Sequence, residues 1–352
     1  MDYLRTWGTN KIIIDSNGLN YQGEADTYTV EYDTNGETVN IVYSGATQGW
    51  IPLDDDVVAD VPVAPPTQKA IFGYGYASGN VSLTNLVNSS GVVATDTTGV
   101  GTARGAPGAA AYGTDKAIFA FGSISPVTAI SNLVSNSGVV ATDTSGVGTA
   151  RDATAAAGYG STGQAIFGFG QAGSPTNVSN LVSNSGVVAS DTSGVGTARQ
   201  SLTASGYGTD KAIFAYGYSG SYLSMSNLVS NSGVVASDVS GVGTSRSGPA
   251  AAVYGTDKAI FGYGSTGSDV GMTNLVNSSG VVAADVSGVG TSRAYLAAAA
   301  YGGDKAIFAY GRTGSNVSLS NLVNNSGVVA TDTTGVGTAR RTLAGAGYSI
   351  SA

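Results

Sequence analysis

The 352-residue chain predicts an all-β protein: a six-bladed β-propeller of four-stranded blades, about 47 residues each, preceded by a small β domain. Three observations lead there. The phrase Lys-Ala-Ile-Phe-Gly-Tyr-Gly at residues 69–75 returns, nearly unchanged, from Lys116, Gln164, Lys211, Lys258 and Lys305, at spacings of 47, 48, 47, 47 and 47 residues. A fixed period of this length means that no unit buries its apolar face without its neighbours. Each unit also divides into four strand-sized pieces joined by Gly, Asn and Asp turns, which is the pattern of a propeller blade. Finally, the repeats start at the Lys-Ala-Ile-Phe strand without its Ala-rich partner, and residues 343–350 supply that partner at the other end. An open solenoid ends in atypical capping repeats, so the expectation is that this last strand completes the first blade.

Three regions follow in order. Residues 1–53 form a non-repetitive head that reads as β and is expected to anchor or oligomerise the chain. It has a β-branched run at 11–14 and alternating runs at 27–33 and 37–43, with Asn35-Gly36 between the latter two. Asn-Gly is a strong hairpin signal, because both residues accept positive φ. The head holds both tryptophans, Trp7 and Trp50, yet is too small to bury much core alone; it is expected to pack against something further, such as copies of itself. Residues 54–68 are acidic and carry Pro62, Pro65 and Pro66, favouring an extended connector. Residues 69–352 are the repeat body. Its first unit reads as strands at 70–74, 83–87 and 92–95, a turn at Asn88-Ser89-Ser90-Gly91, and an Ala-rich strand at 109–112 before the turn Gly113-Thr114-Asp115.

Composition removes several function classes. There is no Cys and no His, so disulfides, thiolate metal sites, thiol nucleophiles and imidazole triads are excluded. Charged residues are 11% of the chain. Residues 1–64 hold 11 acidic and 2 basic side chains, a balance of −9, whereas residues 65–352 hold 12 and 13, a balance of +1. An acidic head and a body without a basic stripe argue against nucleic acid as a partner. The first residues lack the apolar run of a secretory signal, and apolar runs such as 296–301 are too short to span a bilayer. The expectation is a product made in the cytoplasm, without membrane insertion.

The order of elements in the repeat resembles the kelch type of β-propeller, whose units run about 50 residues with an Arg before the innermost strand and a strand ending in a Gly doublet. The matching elements are Arg104, residues 109–112, and residues 117–122 of the second unit, and the resemblance spans about four fifths of the chain. The doublet here is Gly-Tyr-Gly or Gly-Phe-Gly, and no Trp stands in the outer strand. Residues 36–52 are in turn similar to short β modules of bacteriophage head or tail fibres. That resemblance implies a virion protein that forms a homotrimer through its head and meets other virion proteins.

Two constellations are candidates for a role. Six Asp (Asp96, Asp143, Asp191, Asp238, Asp285, Asp332) and six Arg (Arg104, Arg151, Arg199, Arg246, Arg293, Arg340) recur in register, each Arg eight residues after an Asp. They read as a structural ring of ion pairs within or between blades, the guanidinium fork matching carboxylates and turn carbonyls; the competing reading is an anion or cation site. The units disagree chiefly in two places. One is the stretch after the Gly-x-Gly phrase: 76–83, 123–130, 171–178, 218–225, 265–272 and 312–319. The other follows the Arg: 105–108, 152–154, 200–203, 247–249, 294–296 and 341–343. In an antiparallel blade both emerge on one face, and loops on a rigid scaffold carry recognition. Tyr76, Asn80, Gln171, Tyr218, Tyr222, Asp269, Tyr295, Arg312, Asn316 and Arg341 offer flat rings and hydrogen-bonding tips suited to sugars; drift of unrestrained loops is the alternative.

No catalytic residue, metal or cofactor is expected. The sialidase-type Ser-x-Asp-x-Gly-x-Thr-Trp box is absent, and every Glu (Glu24, Glu31, Glu37) lies in the head; a hydrolase would depend on Asp alone. The functional expectation is a non-enzymatic bacteriophage virion protein, a head or tail fibre or spike, whose propeller binds a host-surface glycan or protein. The alternatives are a purely structural capsid or tail decoration protein and a free-standing bacterial lectin or adhesin.

Overall fold

Every regular element among the described residues is a β-strand; no helix is present, hence none long and apolar enough to cross a membrane. The computed structural model describes residues 2–26, 29–53 and 68–349. Met1–Pro65 and Pro66–Ala352 form two compact units. The expected connector falls outside the described residues except for Gln68, whose backbone and side-chain oxygens accept from the N–H groups of Gly302 and Gly303.

In the first unit, Ile12–Ile14 pairs antiparallel with Val30–Tyr32, and Ile41–Tyr43 with Trp50–Pro52. This corrects the hairpin expected across Asn35-Gly36. A turn forms there, with Gly36 at φ 85°, but its flanking runs pair elsewhere. The amino-terminal residues use the turn instead: Gly8 N–H donates to Asn35 Oδ1 and Gly36 N–H to Asp2 Oδ2. Tyr21, Val30 and Tyr32 are fully buried, with Trp7 and Trp50 packed against them. Both tryptophans thus serve the head's own small core.

The repeat unit builds six three-stranded antiparallel sheets. Each has an Ala-rich strand (Gly108–Tyr112 in the second sheet), a central Lys-Ala-Ile-Phe strand (Lys116–Ser123) and a Ser-Asn-Leu-Val strand (Val127–Val134). The central strand is buried on both faces, and period-2 alternation sends Ile and Phe to opposite sides. Ile71 packs with Phe119 of the following sheet, while Phe72 packs with Ile307 and Tyr310 of the last one. Six apolar cores result, each between two sheets, and one of them joins first and last. Ala344–Tyr348 pairs with Lys69–Gly73, so the first sheet takes its Ala-rich strand from the far end of the chain. Small Ala and Gly side chains let the Ala-rich strands neighbour one another closely around a cavity of about 390 Å³.

The fourth strand expected at 92–95 is not regular. It touches the sheet only through isolated bridges, Val87 with Val93 and Thr84 with Thr97. The cause is Asn85, whose Nδ2 donates to Ala94 O at 3.0 Å and Asp96 Oδ1 at 2.9 Å, inserting a side chain where a continuous backbone ladder would run. The same interruption recurs in every sheet, at Asn132, Asn180, Asn227, Asn274 and Asn321.

Candidate functional site

The rigid base of the site is the set of buried arginines. In each unit the aromatic residue of the Gly-x-Gly phrase (Tyr74, Phe121, Phe169, Tyr216, Tyr263, Tyr310) has φ between 61 and 64°. In three sheets it stands opposite two residues of the neighbouring strand, at a β-bulge. This left-handed backbone costs a side-chain-bearing residue about 1 kcal/mol or more, and it turns a carbonyl out of the ladder. An arginine takes up that carbonyl: Nε of Arg104 bonds Phe121 O, and Nε of Arg340 bonds Tyr74 O, at 2.8–2.9 Å in all six copies. Nη1 donates to the carbonyl of the Thr two residues earlier, and Nη2 to the Asn Oδ1 of the same sheet. Each guanidinium also lies 4.0–4.3 Å from the aromatic ring centroid of the preceding sheet.

The paired carboxylate is not the one eight residues earlier. Arg151 faces Asp191, Arg199 Asp238, Arg246 Asp285, Arg293 Asp332 and Arg340 Asp96, at 3.9–4.0 Å; Arg104 feels Asp143. At that range the attraction is Coulombic. The carboxylates' hydrogen bonds come instead from the Asn of the same unit and from a Thr of the preceding one: Asp191 accepts from Thr149 N–H, Thr149 Oγ1 and Asn180 Nδ2. Gly148, at φ 81°, permits this cradle, since a Cβ there would stand 2.3 Å from Asp191 Oδ1. Burial presses the Arg151 and Arg199 guanidiniums down to about 10, against the pull of their carboxylates; both stay charged at neutral pH. Each guanidinium nitrogen thus has an acceptor and each carboxylate oxygen a donor within the protein.

The two families of variable stretches meet by backbone hydrogen bonds. Gly105 pairs with Ser123, Asp152 with Gln171, Gln200 with Tyr218, Ser247 with Ser265, Ala294 with Arg312, and Tyr76 with Arg341. Beside these pairs runs a closed cycle of six backbone bonds. Ala106 N–H donates to Thr342 O, Thr342 to Tyr295, Tyr295 to Gly248, Gly248 to Ser201, Ser201 to Ala153, and Ala153 to Ala106, at 2.8–3.1 Å. All six members have φ between 49 and 60°. The variable stretches therefore share one face, with their backbones engaged in these bonds.

On that face the residues singled out in the sequence do not all gather. Tyr76 is 37% exposed, and its ring centroid lies 5.0 Å from the Arg341 guanidinium carbon. Asn316 Nδ2 donates to Tyr76 O and Ala77 O, so the Arg312–Asn316 hairpin leans on the Tyr76–Asn80 hairpin. The backbone of Tyr295 bonds Thr342 and Gly248. Tyr218 and Tyr222 pair edge to face at 5.5 Å on the fourth sheet. Asp269 stands on the fifth, its carboxyl raised by burial against the opposing pull of Arg312. Asn80 bonds Ser123 O, and Gln171 lies apart, beside Asp152 on the third sheet.

Two features escaped the sequence reading. One is the hydrogen-bonded cycle, whose only trace is a residue two places after each Arg, too varied in type to signal positive φ. The other is a small cavity of about 100 Å³ beside the Ala-rich strands, lined in part by Thr154 and Leu202; Thr154 is 7% exposed and its Oγ1 has no protein partner. Among the described residues no group of three or more carboxylates is placed to hold a metal ion. No protein-family model matches the chain, and no curated protein shows significant similarity to it.

Proposed function

We propose that the repeat body is a closed six-bladed β-propeller and that it is a recognition module, binding a host-surface glycan or protein as part of a bacteriophage fibre or spike. The observation that carries the reading is the variable face. Twelve stretches that differ between units converge there; Leu202, Leu296 and Leu343 of these stretches fill cores, but Tyr76 and Arg312 stand exposed and Tyr218, Tyr222 and Arg341 partly exposed, whereas the repeated arginines are buried and bonded. Support for closure comes from the strand pairing of Ala344–Tyr348 with Lys69–Gly73 and from the six-membered backbone cycle.

Binding rather than turnover is the proposed activity. Asp152 and Asp269 are the only carboxylates on the variable stretches, and they belong to the third and fifth sheets, which are not neighbours. A two-carboxylate hydrolysis needs its pair within about 10 Å. The head is proposed to trimerise. Tyr3, Leu4, Ile13 and Leu53 are each more than half exposed, an apolar surface suited to burial between copies.

The test is adsorption of fluorescently labelled full-length protein to bacterial cells, with its solution mass measured in parallel. Saturable adsorption and three times the 34.8 kDa chain mass are expected. A monomer that coats no cell overturns the reading. A purely structural decoration role is favoured by one observation, the six valines Val92, Val139, Val187, Val234, Val281 and Val328, all 61–65% exposed on the outer edge. That role predicts binding to purified virions and none to cells.

A further inference from the structure

Formal charge is nearly absent from the variable face. Its twelve stretches carry four charged side chains: Asp152, Asp269, Arg312 and Arg341. Of the 13 basic residues beyond residue 64, six are the buried arginines, and four are lysines ion-paired with the preceding Asp. Arg312 and Arg341 belong to neither class. Among the described residues neither has a carboxylate within ion-pair distance. Among the described residues Arg341 stacks on Tyr76, and Arg312 donates to the carbonyl of Gly314 at 3.5 Å while acting on the Asp269 carboxyl through space, outside ion-pair distance.

The two arginines also stand on adjoining segments of backbone. Residues 294 and 295 link them: Ala294 exchanges backbone hydrogen bonds with Arg312, and Tyr295 O accepts from Thr342, the residue after Arg341. Asn316 ties the Arg312 hairpin to the backbone of Tyr76 and Ala77, and its Oδ1 is buried without a hydrogen-bond partner. Residues 123–130 and 171–178, on the second and third sheets, have neither an aromatic ring nor a basic group, and the fourth sheet carries Tyr218 and Tyr222 but no basic group in its variable stretches. A repeat scaffold becomes a specific site where its symmetry breaks, and both unpaired arginines fall in one quadrant.

We propose that the quadrant formed by Tyr76, Tyr295, Arg312 and Arg341 is the receptor site, and that it takes an anionic saccharide bearing carboxylate or phosphate. The inference rests on the recognition reading above. Two planar guanidinium forks match such anions in bidentate fashion, and the flanking tyrosine rings stack on the apolar face of a sugar. Asp269, on the neighbouring hairpin, sets the far limit of the anion-accepting surface.

The experiment uses the full-length chain and four probes in calorimetric titration: galacturonate oligosaccharide, its methyl ester, mannose 6-phosphate and neutral galactose oligosaccharide. The expected result is saturable binding of one or both anionic probes, weakened at least tenfold by Arg312→Gln and by Arg341→Gln, falling with added salt, and absent for the neutral probes. Which anion binds tells carboxylate from phosphate. Arg312→Gln removes only an exposed side chain and keeps the wild-type melting temperature. Ser185→Ala, in an exposed turn of the third sheet away from the quadrant, leaves binding unchanged. Equal binding of neutral and anionic probes, or no binding of either anion, overturns the proposal. Cell adsorption separates this failure from failure of the broader reading. Adsorption retained by the Arg312→Gln/Arg341→Gln double variant removes only this site, whereas wild-type protein that adsorbs to no cell removes the recognition function itself.

Discussion

A fully buried guanidinium is stable only when each of its N–H groups finds an acceptor, and Arg199 shows how this chain arranges that. Its Nε, Nη1 and Nη2 bond Tyr216 O, Thr197 O and Asn227 Oδ1, and its face lies on Phe169. Removing it strands two carbonyls and an amide oxygen and leaves Asp238 without its countercharge. Arg199→Ala is expected to cost about 3–5 kcal/mol, read as a lower urea midpoint; a loss under 1 kcal/mol contradicts the structural role. The carboxylate partners give the pH dependence. Partial burial works to raise each of the six, but hydrogen bonds from Thr and Asn, with the Arg charge, bring all six below the usual Asp range. A depressed folded-state value means stability that is fully present above the unfolded value of about 3.9 and lost as pH falls through the folded one. Asp152 and Asp269, raised mainly by burial, run the other way, and two do not reverse six. Unfolding midpoints should therefore hold from neutrality to about pH 4 and fall below it. Asp191→Asn should be less stable than wild type at pH 7, with a deficit that shrinks by pH 3; a deficit independent of pH contradicts this assignment.

At the scale of the element, the outermost segment of each sheet depends on one amide. Asn227 accepts from Arg199 Nη2 while its Nδ2 holds Ala236 O and Asp238 Oδ1. Backbone bonds join that segment to its strand at Ser230 to Val234, at Ala236 to Leu228 and between Val239 and Ser226. Asn227→Ala should speed amide hydrogen exchange at 236–239 by at least tenfold while the amides of Lys211–Tyr218 keep their protection; uniform acceleration along the sheet contradicts this local role. The same Asn explains where the sequence could and could not be read. The strands at Lys69–Gly73 and Gly108–Tyr112 are legible because Ile-Phe and Ala alternations are set by packing. Val92 to Thr95 has the same β-branched composition and is not a strand, because a side chain 11 residues before Asp96 competes for its carbonyl, and composition does not carry that information. In the site, register in the repeat was enough to bring the two variable families to one face. It was not enough to choose among Tyr76, Gln171 and Tyr218, because which hairpins touch depends on a contact such as Asn316 with Tyr76, 240 residues apart.

For the whole molecule, the decisive element is the strand that comes last and packs first. Ala344–Tyr348 covers one edge of Lys69–Gly73, and with Leu343 it contributes to the cores that bury Ile71 and Phe72. Burying an Ile or Phe side chain stabilises by about 1.5–3 kcal/mol each, so deleting residues 343–352 uncovers several such contributions at once. It also removes one member of the chain of neighbouring Ala-rich strands, which touches two others. In an open stack of repeats, stability is close to a sum of units and nearest-neighbour terms; the five remaining sheets would stay folded, with most of the urea m value retained. In the proposed closed propeller the first and sixth sheets lose their shared partner and a long apolar edge is exposed. The truncated chain is then expected to lose its cooperative transition altogether or to aggregate, and a synthetic peptide of residues 343–352 added in trans should restore part of the folded signal. A truncated body that unfolds in one sharp transition with about five sixths of the original m value identifies an open stack instead, and with it a variable surface that is a curved strip rather than one face.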